Sequence, residues 1–415
     1  MTATQQSTLD VTRIRSDFPI LQHQVHGSKP LIYFDSGASS QHPSVVIDAI
    51  SHCYQHQYAN VHRGIHELSE LATSAYEDTR QKAANFINAD RPHEVIFTSG
   101  TTAAINLIAH SWGNTHVGPG DEILLTILEH HSNIVPWQQL AERTGAVVKF
   151  VPINEHGSLD LEALPELLTE RIRVFAFSAV SNVLGTINPV EVLVQKAHEV
   201  GAIAVVDAAQ HVPHEPTDIA EWKADFVAFS AHKMVGPSGV GILWGKESHL
   251  EAMPPFLGGG SMINTVTTEG FTPGELPAKF EAGTPPIAAA IGLGTAIDYL
   301  DAIGMANISA HERLLAQHAM ERLAEVDGLH IPGPAADQRA GIVSFDVQGI
   351  SALDIAFSLD RHGVAVRAGH HCAMPLHSAL GISASLRASF YLYNTIDEID
   401  RFVELLQREL KLLRG

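Results

Sequence analysis

Between about Asp35 and Gly245, short apolar runs alternate with longer amphipathic stretches, and this alternation constrains the architecture more than any other feature of the chain. Val95–Thr98, Glu122–Thr126, Val147–Val151, Val174–Ser178, Ile203–Asp207 and Phe226–Ser230 have strand length and are rich in β-branched or aromatic residues. Most of the segments between them are long enough for helices. Fully apolar strands separated by helices imply a mostly parallel sheet, covered on both faces and joined by right-handed crossovers. In such sheets ligands sit beyond the carboxyl ends of the strands, so the residues just after each run are where chemistry is sought.

From roughly Ala302 onward the pattern changes to helix (Ile308–Val326), strand (Ile342–Val347), helix (Ser351–His362), strands (Val364–Ala368 and Leu386–Tyr393) and helix (Ile396–Leu413). This predicts a smaller α+β domain. Thr395 and Glu398 open the last helix as a capping box. Between the two regions, Gly258-Gly259-Gly260-Ser261 begins a Thr-, Gly- and Pro-rich segment reaching Pro286, of the kind that usually forms a functional loop. A chain of 415 residues accommodates two or three domains. The expected division is an N-terminal arm over 1–20, a large domain over 21–300 and a small domain over 301–415.

The formal net charge of −20 argues against nucleic acid or an anionic membrane as the main partner. No secretory signal pattern occupies the first residues, so a mature chain beginning near Met1 is expected. The most apolar long stretch, Pro285–Met305, contains Gly292, Gly294, Asp298 and Asp301 and reads as a buried helix, not a membrane span. Cys53 and Cys372 lie far apart and no C-x-x-C pair occurs, so neither a disulfide framework nor a structural zinc site is expected. A reducing cytoplasm is the expected setting.

Cys372 stands in Arg367-Ala368-Gly369-His370-His371-Cys372, a polar, glycine-hinged loop between apolar segments. Arg367 and either histidine could favour its thiolate, which makes it a candidate nucleophile. Read alone, the loop is equally a partly buried cysteine beside solvent-facing histidines. After Phe226–Ser230 comes Ser230-Ala231-His232-Lys233, then a glycine-rich turn. A lysine at the mouth of a sheet can form a Schiff base with an aldehyde cofactor, or be an ordinary surface lysine. Ile203–Val206 terminates in Asp207, followed by Gln210; a carboxylate buried at a strand end needs a partner, and the protonated pyridine nitrogen of pyridoxal phosphate is a suitable one. Ser99-Gly100-Thr101-Thr102 offers backbone amides and hydroxyls to a phosphate at a helix start, although simple capping accounts for it as well. Glu122–Thr126 leads to Glu129-His130-His131-Ser132-Asn133, where adjacent histidines suit a zinc site poorly and a neutral His130 imidazole suits a cofactor ring better.

Phosphate cup, ring-facing histidine, carboxylate and lysine fall at the ends of four of these strands. With them the sequence resembles the fold type I pyridoxal-phosphate enzymes, and among these the Suf-type (group II) cysteine desulfurases, also called selenocysteine lyases. The resemblance covers nearly the whole chain. It rests on Asp35-Ser36, His62–His66, Gly100–Thr102, Glu129–His131 with Asn133–Trp137, Ser181–Thr186, Asp207 with Gln210, and Ser230–Lys233. It continues through Gly258–Met262, Phe280–Pro285, Arg367–Pro375 and Arg387–Ser389.

The resemblance implies a mostly parallel seven-stranded sheet in the large domain and a catalytic-cysteine loop in the small one. It implies that pyridoxal 5'-phosphate binds Lys233 as a Schiff base, with Asp207 on the pyridine nitrogen and His130 stacked on the ring. Thr101, Thr102, Ser230 and His232 would hold the phosphate, Thr284 reaching it from the other subunit of a homodimer. Gln210 would contact the phenolic oxygen, Asn182 and Arg387 the substrate carboxylate, with Arg367 and His62 near the substrate. Cys372 would accept sulfur from L-cysteine, or selenium from L-selenocysteine, and pass it to a SufE- or SufU-like carrier for iron-sulfur cluster assembly. Two residues depart from the family pattern, Gly37 where alanine is expected and Ala179 where histidine is frequent, which bears on fine substrate positioning. The competing readings are a pyridoxal-phosphate C–S lyase, an aminotransferase, which needs no thiol, and a catalytically silent sulfur-transfer scaffold, which needs no Schiff-base lysine.

Overall fold

Seven strands form one central layer: Val95–Thr98 (β1), Glu122–Thr126 (β2), Val147–Val151 (β3), Ile172–Ser178 (β4), Ile203–Asp207 (β5), Phe226–Ser230 (β6) and Gly241–Gly245 (β7), all but the edge strand β3 largely buried on both faces. Their order across the sheet is β1-β7-β6-β5-β4-β2-β3 in the computed structural model, which describes residues 9–414. Neighbours from β6 through β3 pair in parallel, whereas β7 runs antiparallel to both β1 and β6. Alternate residues feed opposite cores. Phe175 and Phe177 of β4 join one apolar cluster, and Val174 and Ala176 join the other. The fold is the doubly covered, mostly parallel sheet of the fold type I enzymes.

Strand β7 was absent from the expected set. Its five residues begin and end in glycine and follow a glycine-rich turn, so the strand signature is cut to Ile242, Leu243 and Trp244. Gly241 has a steric reason to be glycine: a Cβ there would lie 2.6 Å from Gly100 Cα and from Phe229 O. The expected buried helix occurs at Ile287–Ile303 and packs against the helices Ser44–His52 and Glu67–Phe86. A Cβ at Gly294 would meet Thr79 Oγ1 at 2.4 Å, so glycine sets the approach of these helices. Among the described residues no single helix is long and apolar enough to cross a membrane.

A separate core gathers the antiparallel strands Leu329–His330 (β8), Ile342–Val347 (β9), Arg367–Gly369 (β10) and Ser385–Ser389 (β11), in the order β8-β9-β11-β10, with the helices Met305–Leu323, Ala352–Asp360 and Ile396–Leu413. The capping box is present: Glu398 N donates to Thr395 Oγ1 at 3.2 Å, and Thr395 N to Glu398 Oε2 at 3.1 Å. Two details differ from expectation. The run Val364–Ala368 is divided, Val364–Ala365 pairing in parallel with Ile32–Tyr33 and Arg367–Gly369 with β11. Ile32 and Phe34 therefore belong to this second core, far in sequence from its other members. The run Leu386–Tyr393 leaves the sheet at Ser389, because Tyr391 N turns to Asn394 Oδ1 at 2.9 Å.

Candidate active site

The ends of the central strands converge on a cavity of about 250 Å³ lined by residues of both cores, among them Lys233, Asp207, Gln210, His130, Cys372 and Arg387. Strands β1 and β6, held apart by β7, end side by side. Thr101 N donates to Ser230 Oγ at 2.8 Å and the two hydroxyls lie 2.7 Å apart, while Thr102 Oγ1 is 2.8 Å from Ser132 Oγ. These hydroxyls ring the start of the helix Thr101–Ile108, whose first amides and dipole favour an anion. His232 lines the same end of the cavity, and burial pushes its pKa down to about 4.

Asp207, the last residue of β5, is buried and accepts from Ala209 N at 3.0 Å. Burial raises its pKa. Lys233 follows β6; burial pushes its amine down to about 8, against the opposing pull of Asp207. His130 follows β2 and accepts from Ser132 N at 3.0 Å through Nδ1; burial, then Lys233, push it down to about 3, so it is neutral. Glu129 beside it ties strand ends together. Its carboxylate accepts from Asn133 Nδ2 at 2.7 Å, from Ser178 N at 3.0 Å and from the Thr126 hydroxyl, and burial lifts it to about 8.

The opposite wall comes from the second core. Arg387 on β11 is buried, donating to Asn182 O at 2.8 Å and Asp35 Oδ1 at 3.2 Å. Arg367 closes a two-pronged pair on the same carboxylate, at 3.0 Å from each Asp35 oxygen. Asp35 thus orients both guanidinium groups, a task that sequence reasoning did not assign. Its position directly after the apolar run Ile32–Phe34 is the signal that could have singled it out. Gly37 is tight against this wall, since a Cβ would meet Ser389 Cβ at 3.1 Å and Arg387 Cζ at 3.3 Å.

Cys372 is exposed at the cavity rim. His371 and Cys372 both adopt left-handed backbone, φ 50° and 58°, each costing roughly 1–3 kcal/mol where the surroundings must impose it. Asn182 Nδ2 donates to His371 O at 2.7 Å. The expectation that either histidine lends the thiol a positive charge fails for His371: burial pushes it down to about 2, leaving it neutral. Arg367, Arg387 and Lys233 line the same cavity as the thiol. Two expected site residues lie outside this cavity. His62 pairs with Glu77 at 2.8 Å outside the cavity, and Thr284 is solvent-exposed. The Glu281 carboxylate anchors the chain just before Thr284 by accepting from Arg80 Nη1 at 2.7 Å. Cys53 is buried, in keeping with a packing role.

Among the described residues no group of His, Cys, Asp and Glu could hold a metal ion. The donor set fits pyridoxal 5'-phosphate. Asn182 Oδ1, Gln210 Oε1 and Arg387 Nε are buried without hydrogen-bond partners, and all three residues line the cavity, which is what a socket for a polar, charged ligand requires. An anion cup, a buried carboxylate and a lysine with a depressed pKa are spaced around it.

The chain belongs to the class-V aminotransferase family, whose sequence pattern matches residues 32–402. Two relatives and two solved structures similar to it carry one activity in their names. It is 51% identical over 404 residues to a probable cysteine desulfurase of Streptomyces coelicolor, covering 96% of this chain and 97% of that one. It is 47% identical over 416 residues to a cysteine desulfurase of Haloferax volcanii, covering 97% and 98%. The crystal structure of the cysteine desulfurase CsdA from Escherichia coli, in its S-sulfonic acid form, superimposes with a TM-score of 0.90 at 38% identity, over 98% of this chain and 99% of that one. The apo cysteine desulfurase of Thermococcus onnurineus superimposes with a TM-score of 0.92 at 39% identity, over 97% and 98%.

Proposed function

We propose that the protein is a pyridoxal-phosphate-dependent cysteine desulfurase that converts L-cysteine to L-alanine and leaves the sulfur as a persulfide on Cys372. The observation that carries this reading is that a free thiol, a lysine with a depressed pKa and a buried, incompletely partnered arginine line one cavity. An aminotransferase or a simple lyase has no use for that thiol. In this reading Thr101, Thr102, Ser230 and His232 hold the cofactor phosphate, Asp207 its ring nitrogen, Gln210 its phenolic oxygen, and His130 lies against its ring. Lys233 anchors it. The bound cofactor supplies an electron sink that lets the substrate α-proton leave and weakens its C–S bond.

The protein's own groups do the rest. Arg387, with Asn182, fixes the substrate carboxylate by charged hydrogen bonds. Arg367 and His62 are the further substrate-side groups, His62 having to approach from outside the protomer's own cavity. Lys233 holds its proton loosely enough to act as the base for the α-proton. Cys372 thiolate attacks the substrate sulfur; the new S–S bond forms as the C–S bond breaks, and the electron pair released to carbon is protonated to give alanine. The neutral His130 is placed to carry a proton to or from the substrate thiol.

Finer assignments belong to the same proposal. The chain is of the Suf-type, group II, with L-selenocysteine as a further substrate, and it works in the cytoplasm. It divides near residues 20 and 300, with Ile32–Tyr33 lent to the small domain. Thr284, exposed on its anchored segment, completes the phosphate site of a second copy in a homodimer. The exposed rim position of Cys372 suits handover to a SufE- or SufU-like carrier for iron-sulfur cluster assembly.

The test is to add L-cysteine to the holoenzyme and measure alanine and Cys372-bound persulfide. Both are expected, and Cys372→Ala should stop sulfur transfer while keeping the cofactor's visible absorbance. Alanine or pyruvate with free sulfide and an unmodified Cys372 would establish a lyase instead.

A further inference from the structure

The mechanism above leaves His131, Ser385 and His377 without a task, yet all three bear on the loop that carries the thiol. His131 brackets it from the side of the central sheet: its backbone N–H donates to Cys372 O at 2.7 Å, and its Nε2 accepts from Met374 N at 3.0 Å. From the other side, Ser385 Oγ at the start of β11 lies 3.0 Å from His371 Nε2 and 3.0 Å from His377 Nε2. His377 Nδ1 lies 3.0 Å from Ala373 O.

The hydrogens in this chain follow by elimination. A carbonyl can only accept, so His377 carries its proton on Nδ1. Burial lowers the pKa of His377 and keeps it neutral, so its Nε2 is bare and takes the Ser385 hydroxyl hydrogen. Ser385 has no second hydrogen, so His371 Nε2 must be the donor to it. Each group then has one possible orientation, and the loop is fastened at His371, Cys372, Ala373 and Met374 in succession. Unsupported residues do not stay in consecutive left-handed conformations, which His371 and Cys372 nevertheless adopt.

We propose that His131 and the Ser385-bridged pair His371–His377 are positioning residues that clamp the Cys372 loop in its left-handed bend and thereby hold the thiol at the cavity rim. The inference rests on Cys372 being the sulfur acceptor. Sulfur transfer, which needs the thiol within reach of the substrate sulfur, then depends on the clamp, whereas cysteine binding and cofactor retention do not.

His131 is half-buried, so His131→Ala spares the core, and His131→Gln restores an acceptor for Met374 N–H. On the holoenzymes, three quantities separate the cases: first-turnover persulfide formation at saturating L-cysteine, the cysteine dependence of the cofactor's visible spectral change, and the rate of Cys372 alkylation by iodoacetamide. His131→Ala and Ser385→Ala should slow persulfide formation by about tenfold to a hundredfold, the scale of a misplaced reacting group. They should speed alkylation and leave half-saturation by cysteine unchanged, and His131→Gln and Ser385→Thr should recover most of the loss. Unchanged persulfide and alkylation rates in His131→Ala would overturn the clamp, as would equal losses in His131→Ala and His131→Gln. Absence of persulfide in the unsubstituted enzyme would instead overturn the desulfurase reading, and the alkylation rates alone would still decide whether the loop is clamped.

Discussion

Burial, more than pairing, sets the charge of the groups around the cavity. Lys233 is the clearest case: its ordinary value of 10.5 falls to about 8 because the low-dielectric site disfavours the ammonium. The neutral amine needed to capture an aldehyde therefore appears as pH rises through about 8. Uptake of pyridoxal 5'-phosphate by the cofactor-free protein, followed by visible absorbance, should rise with pH around that midpoint; a midpoint near 10.5 would mean an open, hydrated lysine. Arg387 carries a second expectation. Removing a buried charged partner costs about 2 kcal/mol or more, so Arg387→Ala should raise KM for cysteine by roughly thirtyfold in steady-state assays. Asp35 keeps its pair with Arg367, so the fold should survive. Lys233, Asp207 and Thr101 were legible because each ends an apolar strand or follows one within a few residues. The hold of Asp35 on Arg367 and Arg387 was not, since it joins positions 332 and 352 residues apart and leaves no local pattern.

Elements differ in how far their sequences specify them. The helix Ile396–Leu413 declares its own start, and Thr395→Ala should lower stability by about 1 kcal/mol in urea unfolding, the usual worth of an N-cap hydroxyl. Five of the six apolar runs were recognisable strands because burial on both faces demands a continuous apolar composition, whereas the edge strand Val147–Val151 is mostly half-buried or exposed and was recognisable by its valines and phenylalanine. Strand β7 obeys a different constraint, namely close backbone approach at Gly241, and glycine carries no strand signature. Gly241→Ala should therefore displace the turn at Gly100 against which it packs, cost about 1–3 kcal/mol as overpacking does, and weaken cofactor retention through gel filtration. The division of the run Val364–Ala368 was illegible for a related reason: its first half is a strand only because Ile32–Tyr33, from the far end of the chain, lies alongside it.

At the scale of the whole molecule, large apolar side chains near the start of the large domain remain in solvent. Ile65 is 97% exposed, and Val45, Ile47, Leu68 and Leu71 are also exposed, on or beside two helices that both pack against Ile287–Ile303. Such a surface needs a cover, and a second copy of the chain would also bring Thr284 to a neighbouring phosphate site. Sedimentation velocity should show a dimer, and Ile65→Asp should shift it toward monomer with a parallel loss of desulfurase activity. The reversed strand has one more consequence, which concerns time. Val95–Thr98 has a single neighbour in the sheet, the strand Gly241–Gly245, made long after it during synthesis. Until that strand emerges from the ribosome, Val95–Thr98 has no strand to pair with, and the bridge between it and Phe226–Ser230 is missing from the sheet. A growing chain thus displays Lys233 before the strand that joins the two halves of the anion cup has entered the sheet.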